Sequence, residues 1–237
     1  MDERSKRILY YAVGWIALLA LFKGRKQVAD AVTALTRDPK KDFLAKIGPA
    51  TLTLQSETGI APIIPQMQAA LESRWGKSGL TQNYNNLFGY TADAWLNTFL
   101  AQKNLASTTP MSQIKQMDLS TAPFAILPTH EESTNPPAKI QYFSRPGDII
   151  SAKDNGKGGS SLMVWRPFKK YNTWLDSSRD WAALLKAPRY AAALAAAKAG
   201  DSKTYAQAVA QAGYATKSDY ALQLVSVATQ IGAFANA

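Results

Sequence analysis

Gln68-Ala69-Ala70-Leu71-Glu72-Ser73-Arg74-Trp75-Gly76-Lys77-Ser78 places one carboxylate inside an otherwise apolar helical turn and closes that helix with a Gly/Ser break. A second polar-aromatic turn, Asn85-Asn86-Leu87-Phe88-Gly89, follows shortly after. A Glu held against Leu71 and Trp75 has a raised pKa, because burial disfavours its charged form. Such a Glu keeps its proton near neutral pH and can give it to a leaving group. The stretch points to an acid catalyst, and glycoside cleavage is the chemistry that such an acid suits.

The rest of the chain sets the limits within which that acid must work. Its 237 residues are enough for one sizeable domain with an appendage, or for two small domains. An apolar fraction of 46% supports a packed core rather than disorder. With 27 Lys and Arg against 17 Asp and Glu the formal charge is +10, which suits an extended anionic partner. Nucleic acid, anionic lipid and bacterial wall polymer all fit the charge. Nucleic acid is set aside, because no helix carries a concentrated basic face and no zinc-finger or RNA-recognition signature is present. The absence of Cys excludes a disulfide framework, a zinc ribbon and a thiol nucleophile. One His, His130, excludes a His-rich metal centre and argues against a Ser-His-Asp triad. No metal and no cofactor are expected.

Residues 8–22 (ILYYAVGWIALLALF) carry no charge and are flanked by Arg4, Lys6 and Arg7 and by Lys23, Arg25 and Lys26. As a helix the run would span about 22 Å, short of the roughly 30 Å hydrocarbon core. Snorkelling basic residues and local thinning can close that gap. Three readings compete: a single membrane anchor, a cleaved signal peptide, and a buried or partner-binding helix. The anchor is preferred, because Tyr10, Tyr11 and Trp15 join a run too apolar for a surface helix. Ala29-Asp30-Ala31 has the form of a cleavage site but lies too far from the apolar run.

An N-terminal hydrophobic anchor over 1–23 and a polar linker over 24–42, broken by Asp38-Pro39, then lead into a body over 43–237. Within the body, a helical pattern runs through Leu44, Ile47, Leu52 and Leu54, interrupted at Gly48-Pro49 and stopped at Thr58-Gly59. A helix over 65–75 follows, with Met67, Ala70, Leu71 and Trp75 on one side, then another over 92–103. Between about 104 and 167 Pro110, Pro123, Pro128, Pro136, Pro137 and Pro146 and the turn Asp154-Asn155-Gly156-Lys157-Gly158-Gly159 fragment the chain. Residues 139–144 (KIQYFS) and 161–165 (SLMVW) have strand character, which reads as a β-hairpin lobe inserted into a helical body. Helices return over 179–186, capped by Ser177-Ser178, and over 190–198, 202–212 and 218–232, with Ser202 and Ser218 as N-caps. The fold class is α+β and mainly helical.

Five stretches taken together resemble the N-acetylglucosaminidases of glycoside hydrolase family 73, which include flagellar-rod and autolysin-type peptidoglycan hydrolases. They are residues 43–50 with Glu57-Thr58-Gly59-Ile60; residues 68–78; Asn85-Asn86-Leu87-Phe88-Gly89; residues 181–185 with Pro188-Arg189-Tyr190; and residues 212–216 with Asp219-Tyr220-Ala221. The resemblance implies a lysozyme-like fold that cuts the β-1,4 bond following N-acetylglucosamine in peptidoglycan. It also implies that Glu72 is the catalytic acid, rather than an exposed helical Glu in an ion pair. Tyr214 matches the family's Gly-Tyr-Ala-Thr tyrosine near the acid; a core role is its alternative. Asn86, Phe88, Trp75 and Tyr220 are the expected substrate-side residues, with Trp75 buttressing Glu72 from behind.

In the family the second carboxylate sits on the β-lobe, commonly in a Thr-x-Glu sequence. Here Thr129-His130-Glu131 supplies that match, with Glu132 beside it and a solvated acidic loop as the alternative. Such a group would activate water or stabilise oxocarbenium charge on the opposite sugar face. The expected partners are peptidoglycan glycan strands, a lipid membrane through residues 8–22, and envelope or virion assembly partners. Six basic residues, Lys23, Arg25, Lys26, Arg37, Lys40 and Lys41, follow the apolar run against three before it, and the positive-inside tendency then keeps the body cytoplasmic. An anchor seated in a virion membrane resolves that conflict with work on the wall. A non-catalytic wall-binding or assembly protein of the same fold is the competing function.

Overall fold

Asp38 opens the first helix: its Oδ1 accepts the backbone N–H of Lys40 at 2.9 Å, and Pro39 takes the first helical position, where its missing N–H costs nothing. The computed structural model describes residues 38–235, and the apolar run over residues 8–22 lies outside them. Two units divide the chain, residues 1–46 and residues 47–237, and of the first the described part is the opening of helix α1 (Pro39–Thr58). Pro49 was expected to interrupt this helix but sits inside it. The hydroxyls of Thr51 and Thr53 donate to the carbonyls of Gly48 and Pro49 at 3.0 Å each, so carbonyls near the proline find side-chain donors. The helix stops where expected, at Gly59, whose φ of 74° suits a residue without Cβ.

Helix α2 (Ile63–Glu72) buries Ile64, Met67, Gln68, Ala69 and Ala70. Ten residues are too few for a helix stable by itself in water. Packing fixes it instead, because each fully buried Ile or Met contributes about 2 kcal/mol. The partner in that packing is α9 (Tyr220–Ala235), which presents Leu224, Val227 and Ile231. Helix α6 (Trp174–Leu184) supplies Trp181, the largest fully buried side chain among the described residues. Helices α7 (Ala191–Ala199) and α8 (Ser202–Gln211) pack on each other beside it. The expected caps shift by a few residues. Thr173 and Asp176 form a capping box for α6, while Ser177 and Ser178 are buried inside that helix. Asp201, a carboxylate with a stronger claim on the N-terminal N–H groups, caps α8 instead of Ser202.

The lobe is a three-stranded antiparallel sheet rather than a hairpin. Strands β1 (Phe124–Ser133), β2 (Ile149–Asp154) and β3 (Ser160–Lys169) lie in the order β1-β3-β2. The expected strand over 161–165 falls inside β3. The expected strand over 139–144 is irregular, because the Asp148 carboxylate takes the backbone N–H groups of Phe143, Ser144 and Arg145 at 2.6–2.9 Å and so removes them from any ladder. β1 was missed because Pro128 breaks the strand pattern. An edge strand needs no N–H on its free side, so it accommodates that residue. Helices α4 (Asp93–Gln102) and α5 (Met111–Ile114) close the base of the sheet with a second core around Leu96, Leu100, Met111, Ile114 and Phe124. About half of the described residues are helical, giving an α+β fold. No helix among the described residues is long and apolar enough to cross a membrane.

Candidate active site

Glu72 is the last residue of α2, and the chain reverses directly behind it. Arg74, Trp75 and Gly76 follow with φ of 53°, 58° and 75°. The two non-glycine residues cost on the order of 1 kcal/mol each in the left-handed region. Buried Ser73 holds the turn: its Oγ donates to Ala69 O at 2.5 Å and accepts from Gly76 N at 2.8 Å. The backbone N–H of Trp75 reaches Ala70 O at 2.7 Å. Trp75, the expected last residue of the helix, therefore belongs to this turn, three residues beyond the end of the helix at Glu72.

Tyr220, the first residue of α9, donates its phenol O–H to Glu72 Oε1 at 2.6 Å. Burial pushes the Glu72 carboxyl above the ordinary carboxylate range, while the Tyr220 hydrogen bond and the charge of Lys217 pull partly against it. The Tyr214 ring stacks on Tyr220 with centroids 5.8 Å apart and planes at 20°, and Tyr190 meets Tyr214 edge-on at 6.4 Å. Burial holds the Tyr214 and Tyr90 phenols far above the ordinary tyrosine value, so both stay protonated. The two hydroxyls face each other without meeting ordinary hydrogen-bond geometry. Tyr214 thus reaches the acid through the Tyr220 ring, and Tyr220 is the direct partner.

These groups line a cleft of about 570 Å³ together with Leu71, Phe88, Leu184, Arg189, Lys217 and Gln223. Phe88 is buried and stacks on Trp181 at 5.5 Å and 14°. Asn86 is buried behind it, with its amide committed to the backbone. It donates to Tyr90 O and Lys169 O and accepts from Tyr90 N, each at 3.0 Å. Asn85, in a left-handed helix cap, donates to Tyr171 O and Asn172 O at 3.0 Å each. The two asparagines tie the α3 (Gly79–Tyr84) end to the ends of β3 and α6, which sets Phe88 at the cleft wall.

Glu131 lies on β1, outside the cleft lining, on the same face as Leu162, Val164 and Arg166. Arg166 holds it at 3.3 Å and holds Asp93 at 2.8 Å. Burial raises the Glu131 pKa, Arg166 lowers it and Asp93 raises it. Glu132 and exposed His130 point to the other face, where Glu132 accepts from Asn155 at 3.2 Å. No group of three or more His, Asp or Glu suited to a metal occurs among the described residues. Sequence reasoning missed Tyr90, Lys217, Leu184 and Gln223. Tyr90 directly follows Gly89 and Leu184 lies within residues 181–185, both stretches already singled out, whereas a lone Lys and Gln carry no pattern.

Residues 48–233 match the glucosaminidase family, described as mannosyl-glycoprotein endo-beta-N-acetylglucosaminidase. The chain is 27% identical over 217 residues to the peptidoglycan hydrolase FlgJ of Salmonella typhimurium, covering 89% of this chain and 52% of that protein. It therefore spans about half the length of that curated relative. The solved glycoside hydrolase domain of the same FlgJ is 26% identical, with 84% of this chain and 92% of that one covered and a TM-score of 0.49. The catalytic domain of the autolysin Auto from Listeria monocytogenes shares the fold at 20% identity and a TM-score of 0.50, over 86% of this chain and 93% of that one.

Proposed function

This chain belongs to the glucosaminidase family, and from that membership we infer that it hydrolyses peptidoglycan, cutting the β-1,4 bond after N-acetylglucosamine with Glu72 as general acid. The observation that carries the reading is a half-buried carboxyl hydrogen-bonded to Tyr220 at the floor of an aromatic cleft. A protonated Glu72 gives its proton to the glycosidic oxygen as the C1–O bond breaks and oxocarbenium charge builds on the sugar. The carboxylate left behind gains from the same Tyr220 O–H and from Lys217, both of which favour its charged form. These interactions strengthen as the proton leaves, which is where catalysis needs them.

Glu131 is the proposed second carboxylate, taking a proton from the water whose oxygen bonds to C1. Its support is its position on the half-buried face of β1 beside Arg166, in contrast to Glu132 on the far face. Closure of the lobe would bring it towards the cleft. A participating 2-acetamido group would lessen the demand on it. Membrane attachment through residues 8–22, in a cell envelope or a virion, rests on their apolar run alone.

Purified peptidoglycan incubated with the protein and with Glu72→Gln, followed by mass spectrometry of reducing ends, tests the reading. New N-acetylglucosamine ends, abolished by the substitution, are expected. N-acetylmuramic acid ends, 1,6-anhydro ends or no products would overturn the stated bond. Peptidoglycan bound but left uncut, with Glu72→Gln indistinguishable, would instead favour a wall-binding protein.

A further inference from the structure

A smaller cavity of about 230 Å³ adjoins the catalytic cleft and shares Tyr90 and Leu184 with it. Its other walls are Thr91, Lys169, Asp180 and Ala183. Lys169 Nζ donates to Asp180 Oδ2 at 2.7 Å, and Tyr171 donates to the same oxygen at 2.5 Å. The ammonium also sits 4.8 Å from the Trp95 ring centroid and 5.7 Å from that of Tyr90. Both charges are therefore fixed in place before any ligand arrives. Asp180 Oδ1 has no hydrogen-bond partner among the described residues, and Lys169 keeps donors beyond the one given to Asp180.

The charges of the pair cancel, so an ionic ligand would have to break a formed ion pair to be held there. A neutral polyhydroxylated ligand would not. It can donate a hydroxyl to Asp180 Oδ1, accept from Lys169, and lay an apolar ring face on Tyr90 or Leu184. The volume falls below the roughly 300–1,000 Å³ of pockets that hold a whole drug-sized molecule, which suits one sugar unit. We propose that this pocket is a subsite for a further neutral N-acetylhexosamine unit of the glycan strand, one end of which lies across Glu72. The inference rests on the glycosidase reading above and extends it along the strand towards the sheet, since Lys169 ends β3.

Titration of soluble β-1,4-linked N-acetylglucosamine dimer and pentamer into full-length Glu72→Gln measures binding without turnover. Adding Asp180→Ala should weaken pentamer binding by about tenfold, as one or two lost hydrogen bonds imply, and dimer binding by less than about twofold. Asp180 also orders Tyr171 and Lys169, so a second variant is needed. Ala183→Trp fills the pocket from an exposed helical position and leaves the ion pair intact; the same selective loss is expected. Equal losses for both oligomers, or none with Ala183→Trp, would overturn the subsite. Cleavage of peptidoglycan by the unsubstituted protein is scored separately, so that failure of the subsite is distinct from failure of the glycosidase reading.

Discussion

Tyr220 and Glu72 lie 148 residues apart in sequence and 2.6 Å apart through a hydrogen bond. The first residue of one helix thereby meets the last residue of another, and the packing of α9 on α2 sets the acid's environment. Burial raises its pKa, and the Tyr220 phenol and the charge of Lys217 lower it by favouring the ionised form. Tyr220→Phe removes the larger lowering contribution and leaves burial and Lys217 in place. The alkaline limb of the pH–rate profile should move to higher pH, because Glu72 keeps its proton longer. The maximal rate should fall by about tenfold, as loss of one charge-assisted hydrogen bond to the emerging carboxylate implies. An alkaline limb that stays put or moves down would sink the assignment of Glu72 as the titrating acid.

Glu72→Gln tests the same carboxyl through stability. The folded pKa of Glu72 lies above its unfolded value, so its contribution to stability is complete below the unfolded pKa and is lost as pH rises through the folded one. Gln has no such titration. The melting temperature of Glu72→Gln should therefore gain on that of the unsubstituted protein between about pH 4, where unfolded Glu titrates, and neutrality. Activity should drop by about 10²–10⁴-fold, the range for a lost general acid. Parallel melting curves across that pH range would show that the carboxyl is not destabilised by burial.

The helical half of the fold was legible because its signals are local. The Leu71-Glu72 turn, the Gly59 stop and the helix over 93–102 follow from apolar period and glycine placement within a few residues. The lobe was less legible because its structure depends on partners far along the chain. β1 forms around Pro128 because β3 pairs with its inner side, and residues 140–144 stay irregular because Asp148 claims their N–H groups. At the site, Glu72 and Phe88 could be placed from sequence. The commitment of Asn86 to Lys169, 83 residues away, and of Tyr220 to Glu72 could not, since no local spacing encodes either.

Asn86 is expected from sequence on the substrate side, yet its amide is engaged with Tyr90 and Lys169. Asn86→Ala leaves three backbone groups without their side-chain partner in a buried place. A loss of about 2–4 kcal/mol of stability is expected, from three modest hydrogen bonds with incomplete rehydration. Denaturant unfolding measures it. A fall in activity with stability unchanged would instead place the amide against substrate.

Arg166 is the test of Glu131. It lies between Glu131 at 3.3 Å and Asp93 at 2.8 Å, and its charge is what lowers the Glu131 pKa. Arg166→Met leaves burial and Asp93, both of which raise it. If Glu131 works as an ionised base, the acid limb of the pH–rate profile must move to higher pH, since protonation now sets in earlier as pH falls. With the alkaline limb fixed by Glu72, the profile narrows. Both ion pairs are part-exposed, so stability should change by no more than about 1 kcal/mol. Arg166→Lys keeps a charge but not the fork that reaches two carboxylates, and should give an intermediate shift. An acid limb that ignores both substitutions would remove Glu131 from the mechanism while leaving Glu72 in it.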